Sequence, residues 1–292
     1  MANFKPQKVL SLKTELEKKN PKLQGNFLVT TKYEGWYVSI AYTTLAGWSC
    51  PVSSNSRTIP SMEWTRSLFS KLPVPKEDCF LIAEAYLEDT PFHILNGIFN
   101  TSKGACSCLE VQFKLHDIIY PNNPSLTAIE RYNRLGELDL HKIETNAQIV
   151  PILYSGIYDS KEWQRHFEVI ANRGGEGIVA KRDTSIYIAG KRNSDLLKLK
   201  LELTVDCLAV ALEETVGDKG NSGLVLVSRR KNGVLVRTVI GKHVDQDLFR
   251  KDSSNVIGKV VQVKAMEEYA DGQLRHPTFQ YIRHDKLAGD II

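Results

Sequence analysis

Long apolar runs are missing from this 292-residue chain, and no stretch approaches the length needed to span a bilayer. The opening residues, Met1-Ala2-Asn3-Phe4-Lys5, lack the apolar segment of a secretory signal. Both absences predict a soluble intracellular protein with no membrane partner. Cysteine is sparse and irregular: five residues, an odd number, with Cys106-Ser107-Cys108 too tight for the usual Cys-x-x-Cys zinc spacing and no His at ligand distance. This excludes a disulfide framework and predicts reduced thiols in a cytosolic or nuclear setting. Internal repeats, low-complexity segments and long flexible linkers are also lacking. The charge excess is only +4, which permits a polyanionic partner without demonstrating one, so any electrostatic footprint has to come from local clustering.

What is present is an ordinary globular composition, 42% hydrophobic and 25% charged, in a chain long enough for one large or two smaller domains. Residues 7–19 carry Leu10, Leu12 and Leu16 among Lys and Glu and predict a short amphipathic helix ended by Asn20-Pro21. From Phe27 to Val52 the text is strand-like, rich in Thr, Tyr, Val and Trp. Helices are predicted at 61–71, capped by Ser61, at 127–138 and at 161–172, the last with Trp163, Phe167 and Ile170 on one face. Buried strands are predicted at 80–87, 111–119 and 177–181, the first carrying a lone acid, Glu84. After Lys200 come short β-type runs at 205–213, 223–230, 233–240 and 259–267, with Lys231-Asn232-Gly233 as a hairpin turn. Such a run of strands with little helix predicts a small all-β barrel, with a boundary between 201 and 204.

Several short motifs punctuate this pattern. Lys32-Tyr33-Glu34-Gly35 follows a strand; taken alone it reads as a solvated turn. Ser56-Arg57 reads as surface. Glu84 lies in Leu81-Ile82-Ala83-Glu84-Ala85-Tyr86, where a charge on a buried strand needs a partner. Phe113 to Ile118 contains His116-Asp117. Glu176-Gly177-Ile178-Val179-Ala180-Lys181 follows Gly174-Gly175, and Leu197-Lys198-Leu199-Lys200 puts two cations on one strand face. Read alone, the latter is a half-buried edge strand. The stretch from Leu274 to Lys286 gathers Arg275, Arg283 and Lys286 around Pro277 and Phe279. A solvated basic face is the bland reading there.

In this order and at these separations the motifs resemble those of the covalent nucleotidyltransferases, and most closely of minimal ATP-dependent DNA ligases. The resemblance runs from Lys32 to Lys286. It implies an α+β, two-domain ligase core: an N-terminal adenylyltransferase (ATP-grasp-like nucleotidyltransferase) domain over 1–202 and a C-terminal OB-fold barrel over 203–292. It implies sealing of 3′-OH/5′-phosphate nicks in duplex DNA by a monomer, in a bacterial or virus-infected cytoplasm, with ATP and Mg²⁺ or Mn²⁺. Lys32 would carry the adenylate. Thr31, Glu34, Arg57, Glu84, His116, Lys198, Lys200, Arg283 and Lys286 would contact the nucleotide, and Glu176 and Glu84 would hold the metal. The chemistry suits these residue types. A lysine attacks phosphorus only as the neutral amine, and nearby cations or burial disfavour its ammonium form. Lys198 and Lys200 supply such cations and meet the charge that moves onto the leaving group. Carboxylates suit Mg²⁺, which fills its shell with water and phosphate oxygens.

Three residues depart from the family pattern: Glu34 where aspartate is usual, Tyr37 where an arginine is usual, and His116 where an aromatic ring stacks on adenine. These mark a divergent, phage-type sequence. Two other readings compete, an RNA ligase or GTP-using mRNA capping enzyme, and a non-catalytic nucleic-acid-binding OB protein. The last leaves Lys32, Glu84 and Glu176 unexplained.

Overall fold

A computed structural model describes residues 5–59, 62, 65–88, 90, 92–100, 111–138, 140, 146–216, 222–241, 244, 246–269 and 271–291. The proposed cap Ser61 and the pair Cys106 and Cys108 lie outside the described residues. The chain divides into two compact units, Met1–Lys200 and Leu201–Ile292. No helix among the described residues is long and apolar enough to cross a membrane.

In the first unit the elements are β1 (Lys8–Ser11), α1 (Leu12–Leu16), β2 (Asn26–Lys32), β3 (Trp36–Thr43), β4 (Gly47–Trp48), β5 (Val52–Ser53), α2 (Thr65–Phe69) and β6 (Cys79–Tyr86). They continue with α3 (Phe92–Asn100), β7 (Gln112–Ile119), α4 (Ala128–Gly136), β8 (Ala147–Ile149), β9 (Ile152–Ile157), α5 (Ser160–Ala171), β10 (Gly177–Arg182) and β11 (Arg192–Lys200). Two sheets result. One has the order β1-β11-β10-β2-β9; the other runs β4-β3-β6-β7-β8, with β5 also paired to β3.

Strand alternation decides what each face of the first sheet does. Phe27, Val29, Ile178, Ala180 and Leu197 all point to one side, where they pack with Leu12 and Trp163. The Trp163 ring meets Phe27 edge-on at 5.3 Å. The opposite face is left for the site. Behind the second sheet, Val38, Ile40, Leu81, Phe113 and Leu115 form the larger core with Phe69, Leu95 and Leu135. Helix α4 begins on a capping box: Thr127 Oγ1 accepts from the Glu130 amide at 3.4 Å, and Glu130 Oε2 accepts from the Thr127 amide at 2.7 Å. Helix α5 starts at Asp159, whose Oδ1 accepts from the amides of Lys161 and Glu162.

The single helix expected over 7–19 is split between a strand and a shorter helix. Lys8–Ser11 pairs in parallel with β11, and only five residues, Leu12–Leu16, are helical. Sheet pairing outweighs a weak local propensity. Glu15, which an amphipathic pattern would leave in solvent, is fully buried. It accepts from the Lys22 amide at 2.6 Å, from Ser194 Oγ at 2.7 Å and from Lys18 Nζ. The Leu-Lys-Leu-Lys strand is also no edge: β11 lies between β1 and β10.

The second unit holds β12 (Leu203–Val216), β13 (Ser222–Arg229), β14 (Leu235–Val239), α6 (Gln246–Lys251), β15 (Val260–Ala265) and β16 (Thr278–Ile282). The five strands close into a barrel in the order β12-β13-β14-β16-β15. Leu224, Leu226, Val236, Val261, Val263 and Phe279 fill it. The β13–β14 hairpin turns through Gly233 at φ +83°, the left-handed region that favours glycine. The closing strand, β16, lies inside the basic C-terminal stretch, with Arg283 and Lys286 just beyond it.

Candidate active site

Three strands place the lysines together. In the antiparallel register Lys32 of β2 and Lys200 of β11 flank Gly177 of β10, and Thr30 and Lys198 flank Val179 two residues further along. All therefore share the sheet face opposite the Phe27 core. Gly177 is obligatory there: its φ is +145°, and an added Cβ would lie 2.2 Å from the Leu199 carbonyl oxygen. The turn before it delivers Glu176, whose Oε2 accepts from Lys32 Nζ at 2.5 Å. Both side chains are largely buried, 21% and 11% exposed, so water screens the pair weakly.

Gly35 explains the end of the Lys-x-Glu-Gly motif. A Cβ at this position would meet the Ala85 carbonyl oxygen at 2.6 Å, so glycine lets the chain leaving Lys32 lie directly on the backbone of β6. Across the second sheet Tyr37, Glu84 and Lys114 stand in register. Burial pushes the Glu84 carboxyl up to about 8; Lys32 partly opposes this and Glu176 adds to it. Lys32 thus stands within the electrostatic reach of two acids that repel each other. Lys198 is held below the ordinary lysine range by burial first, then by Lys200 and Lys32.

A cavity of about 150 Å³ opens beside this group. Lys32, Thr31 and Lys181 border it from the first sheet, and Glu84, His116 and Tyr37 from the second. His116 is the extra residue of a β-bulge between the pairs Ile82↔Asp117 and Ala83↔Leu115, a device that re-aims a side chain. Burial, with Lys181 adding, lowers its imidazole to about 4, so the ring is neutral at physiological pH. The phenol of Tyr37, buried beside Tyr187, is pushed above its usual value, chiefly by that burial.

Beneath the cavity lies an ion network whose members the motif reading gave no role. Asp117 Oδ1 and Oδ2 accept from Arg131 Nε and Nη2 at 2.8 and 3.2 Å, and Oδ2 also accepts from Lys181 Nζ at 2.6 Å. Arg131 further donates to the carbonyls of Leu126 and Ser185 at 2.7 and 3.2 Å. Lys181 Nζ also donates to the His116 carbonyl at 3.2 Å. A signal was available in the sequence: an arginine in line with Ala128 and Leu135 on the apolar face of α4 demands a buried anion.

Not every expected residue borders the cavity. Glu34, Glu176, Lys198 and Lys200 are not among its lining residues, although Glu176 is bonded to Lys32, which is. Arg57 is exposed in the turn after β5, where its amide donates to Ser53 Oγ at 3.2 Å. Arg283 and Lys286 lie in the second unit. The basic cluster there is largely neutralised, since Arg275 is buried against Glu267, Arg283 bonds Asp206 and Asp285, and Lys286 bonds Asp206.

A lysine beside an acid, bordering a cavity of about 150 Å³ and sharing its sheet face with two further lysines, is suited to covalent capture of a phosphoryl group. Comparisons with known proteins agree. The profile of the ATP-dependent DNA ligase domain matches residues 8–200. DNA ligase 4 of Kluyveromyces lactis is 26% identical over 253 residues, covering 76% of this chain and 27% of that protein. The DNA ligase of Enterobacteria phage T3 is 30% identical over 138 residues, covering 44% and 38%. The chain therefore spans well under half the length of these curated relatives. Among solved structures, a Lig E DNA ligase superposes with a TM-score of 0.71 at 16% identity, over 96% of this chain and 99% of that one, which shows the shared two-domain fold of nucleotidyltransferase and OB barrel. The chain belongs to the ATP-dependent DNA ligase family.

Proposed function

We propose that this protein seals 3′-OH/5′-phosphate nicks in duplex DNA at the expense of ATP, acting as a cytoplasmic monomer. Residues 1–202 carry the adenylylation chemistry, and 203–292 form the OB domain. The observation that carries the reading is Lys32, joined to Glu176 and aligned across Gly177 with Lys200.

In the first step Lys32 Nζ attacks the α-phosphorus of ATP. An N–P bond forms, the bond to the β-phosphate oxygen breaks, and pyrophosphate leaves with the electron pair. The amine must first lose its proton, which the Glu176 carboxylate stabilises in the resting pair. That carboxylate, bonded to Lys32 Nζ, is also the group in place to take the proton as the N–P bond forms. Lys198 and Lys200 then face the phosphates, and Arg283 and Lys286 align the leaving pyrophosphate. In the second step a DNA 5′-phosphate oxygen displaces Lys32 from phosphorus. In the third the 3′-hydroxyl attacks that phosphate and releases AMP. The neutral His116 ring stacks on the base, and Thr31, Glu34, Glu84 and Arg57 complete the nucleotide contacts. Glu176 and Glu84 offer the hard oxygen donors that Mg²⁺ or Mn²⁺ takes together with phosphate oxygens, and such an ion would offset phosphate charge.

The test is incubation with α-labelled ATP or GTP, then denaturing electrophoresis, then addition of nicked DNA. The reading predicts label retained from ATP and discharged into sealed DNA. Label from GTP alone would indicate a capping-type enzyme, and no label would indicate a binding protein.

A further inference from the structure

The barrel holds a carboxylate that none of the motifs includes. Asp206 sits on β12 in register with Gln262 of β15, which in turn faces Tyr281 of β16. Arg283 Nη1 donates to its two oxygens at 3.0 and 3.1 Å, and Lys286 Nζ donates to Oδ2 at 2.5 Å. On the other edge of the guanidinium, Nε and Nη2 donate to Asp285 at 2.8 and 2.7 Å. All three nitrogens of Arg283 are thus engaged by two carboxylates, and its side chain is 19% exposed. Lys286 differs. It is 36% exposed, and among the described residues its ammonium donates to Asp206 only, leaving two N–H donors for another acceptor, with Asp285 near enough to feel its charge. Two cations and two carboxylates sum to zero, so this corner offers a polyphosphate no net charge as it stands.

We infer that Asp206 is a positioning residue that holds Lys286 against the barrel and competes for it with the departing phosphates of ATP. Arg283 is the fixed hub of the corner, and Lys286 is the cation that passes from carboxylate to phosphate. The inference rests on the reading of Lys286 as a phosphate contact during adenylylation.

The experiment measures single-turnover adenylylation against ATP concentration in the full chain, for the parent, Asp206→Asn, Asp206→Glu, Lys286→Ala and the double variant Asp206→Asn/Lys286→Ala. Removing the competing charge should lower the half-saturating ATP concentration about two- to fivefold at low salt, the scale of a partly exposed ion pair. The gain should shrink as salt rises, vanish in the double variant, and be reversed by Asp206→Glu. Sealing of pre-adenylylated nicks should not change with Asp206→Asn. A rise in half-saturating ATP, or an equal loss with and without Lys286, would overturn the proposal and make Asp206 structural. Failure of Asp206→Asn to fold, alone and in the double variant, would do the same. Normal adenylylation by Lys286→Ala would instead remove the reading of Lys286 on which the proposal rests.

Discussion

Replacing Asp117 by Asn keeps the shape of the side chain and deletes one charge, which makes the substitution a sharp probe of the network under the cavity. Asp117 is 4% exposed and Arg131 2%. The carboxylate accepts four bonds, from Arg131 Nε and Nη2, Lys181 Nζ and the Ile118 amide. Burial alone would raise its pKa; Lys181 and Arg131 more than reverse this and hold it at about 2. Asn would leave the buried Arg131 and the partly buried Lys181 facing a neutral amide. Breaking a buried pair by removing one partner costs about 3–5 kcal/mol. For a domain of this size that corresponds to a fall of about 6–20 °C in the unfolding midpoint. All four tryptophans, Trp36, Trp48, Trp64 and Trp163, precede Lys200, so their fluorescence during urea unfolding reports on this unit. The pH dependence has a definite sign. A carboxylate with a depressed native pKa stabilises fully above its ordinary value of 3.8 and loses that contribution as pH falls through about 2. Asp117→Asn should therefore lack the component of acid destabilisation, about 2–3 kcal/mol, that the parent shows in that window. A midpoint change equivalent to less than about 1 kcal/mol would refute the claim that this network is a principal support of the site.

Gly177→Ala forces a Cβ to within 2.2 Å of the Leu199 carbonyl at φ +145°, so the three-strand register should be disrupted and stability should fall by more than about 2 kcal/mol in the same fluorescence assay. Glu176→Ala should lose adenylylation and the sealing of pre-adenylylated nicks; unaltered dependence on Mg²⁺ would make the acid structural. Lys286→Ala should be defective on nicks plus ATP and near normal on pre-adenylylated nicks without ATP. Equal loss on both substrates would point to DNA binding instead. Sealing should also weaken steeply with salt, because backbone phosphates dominate contacts of this kind.

The candidate site residues were more legible in the sequence than the supports beneath them. Lys32, Glu176, Lys198 and Lys200 stood out only through the order of motifs that resembles the ligase family, since each motif alone reads as a turn or a half-buried strand. Their convergence on one sheet face depends on the register of β2, β10 and β11, which no local pattern encodes. The network of Asp117, Arg131 and Lys181 joins three separate elements and was visible only as charges without obvious partners. The error at 7–19 arose because Val9, Leu10 and Leu12 satisfy a short helical or an extended pattern equally well, and the parallel partner strand lies far along the chain, at 192–200. Likewise β16 was hidden inside a segment read for its cations. The pairing of Arg283 with Asp206 could not be read from sequence because the partners are 77 residues apart.

The central claim is that Lys32 carries the nucleotide. The protein should be incubated with ATP and Mg²⁺ without DNA, digested, and its peptides mapped by mass spectrometry under conditions that preserve the phosphoramidate bond. The account predicts one AMP adduct, on the peptide containing Lys32, absent from Lys32→Ala and removed by added pyrophosphate. An adduct on another lysine, or an undiminished adduct in Lys32→Ala, would contradict it.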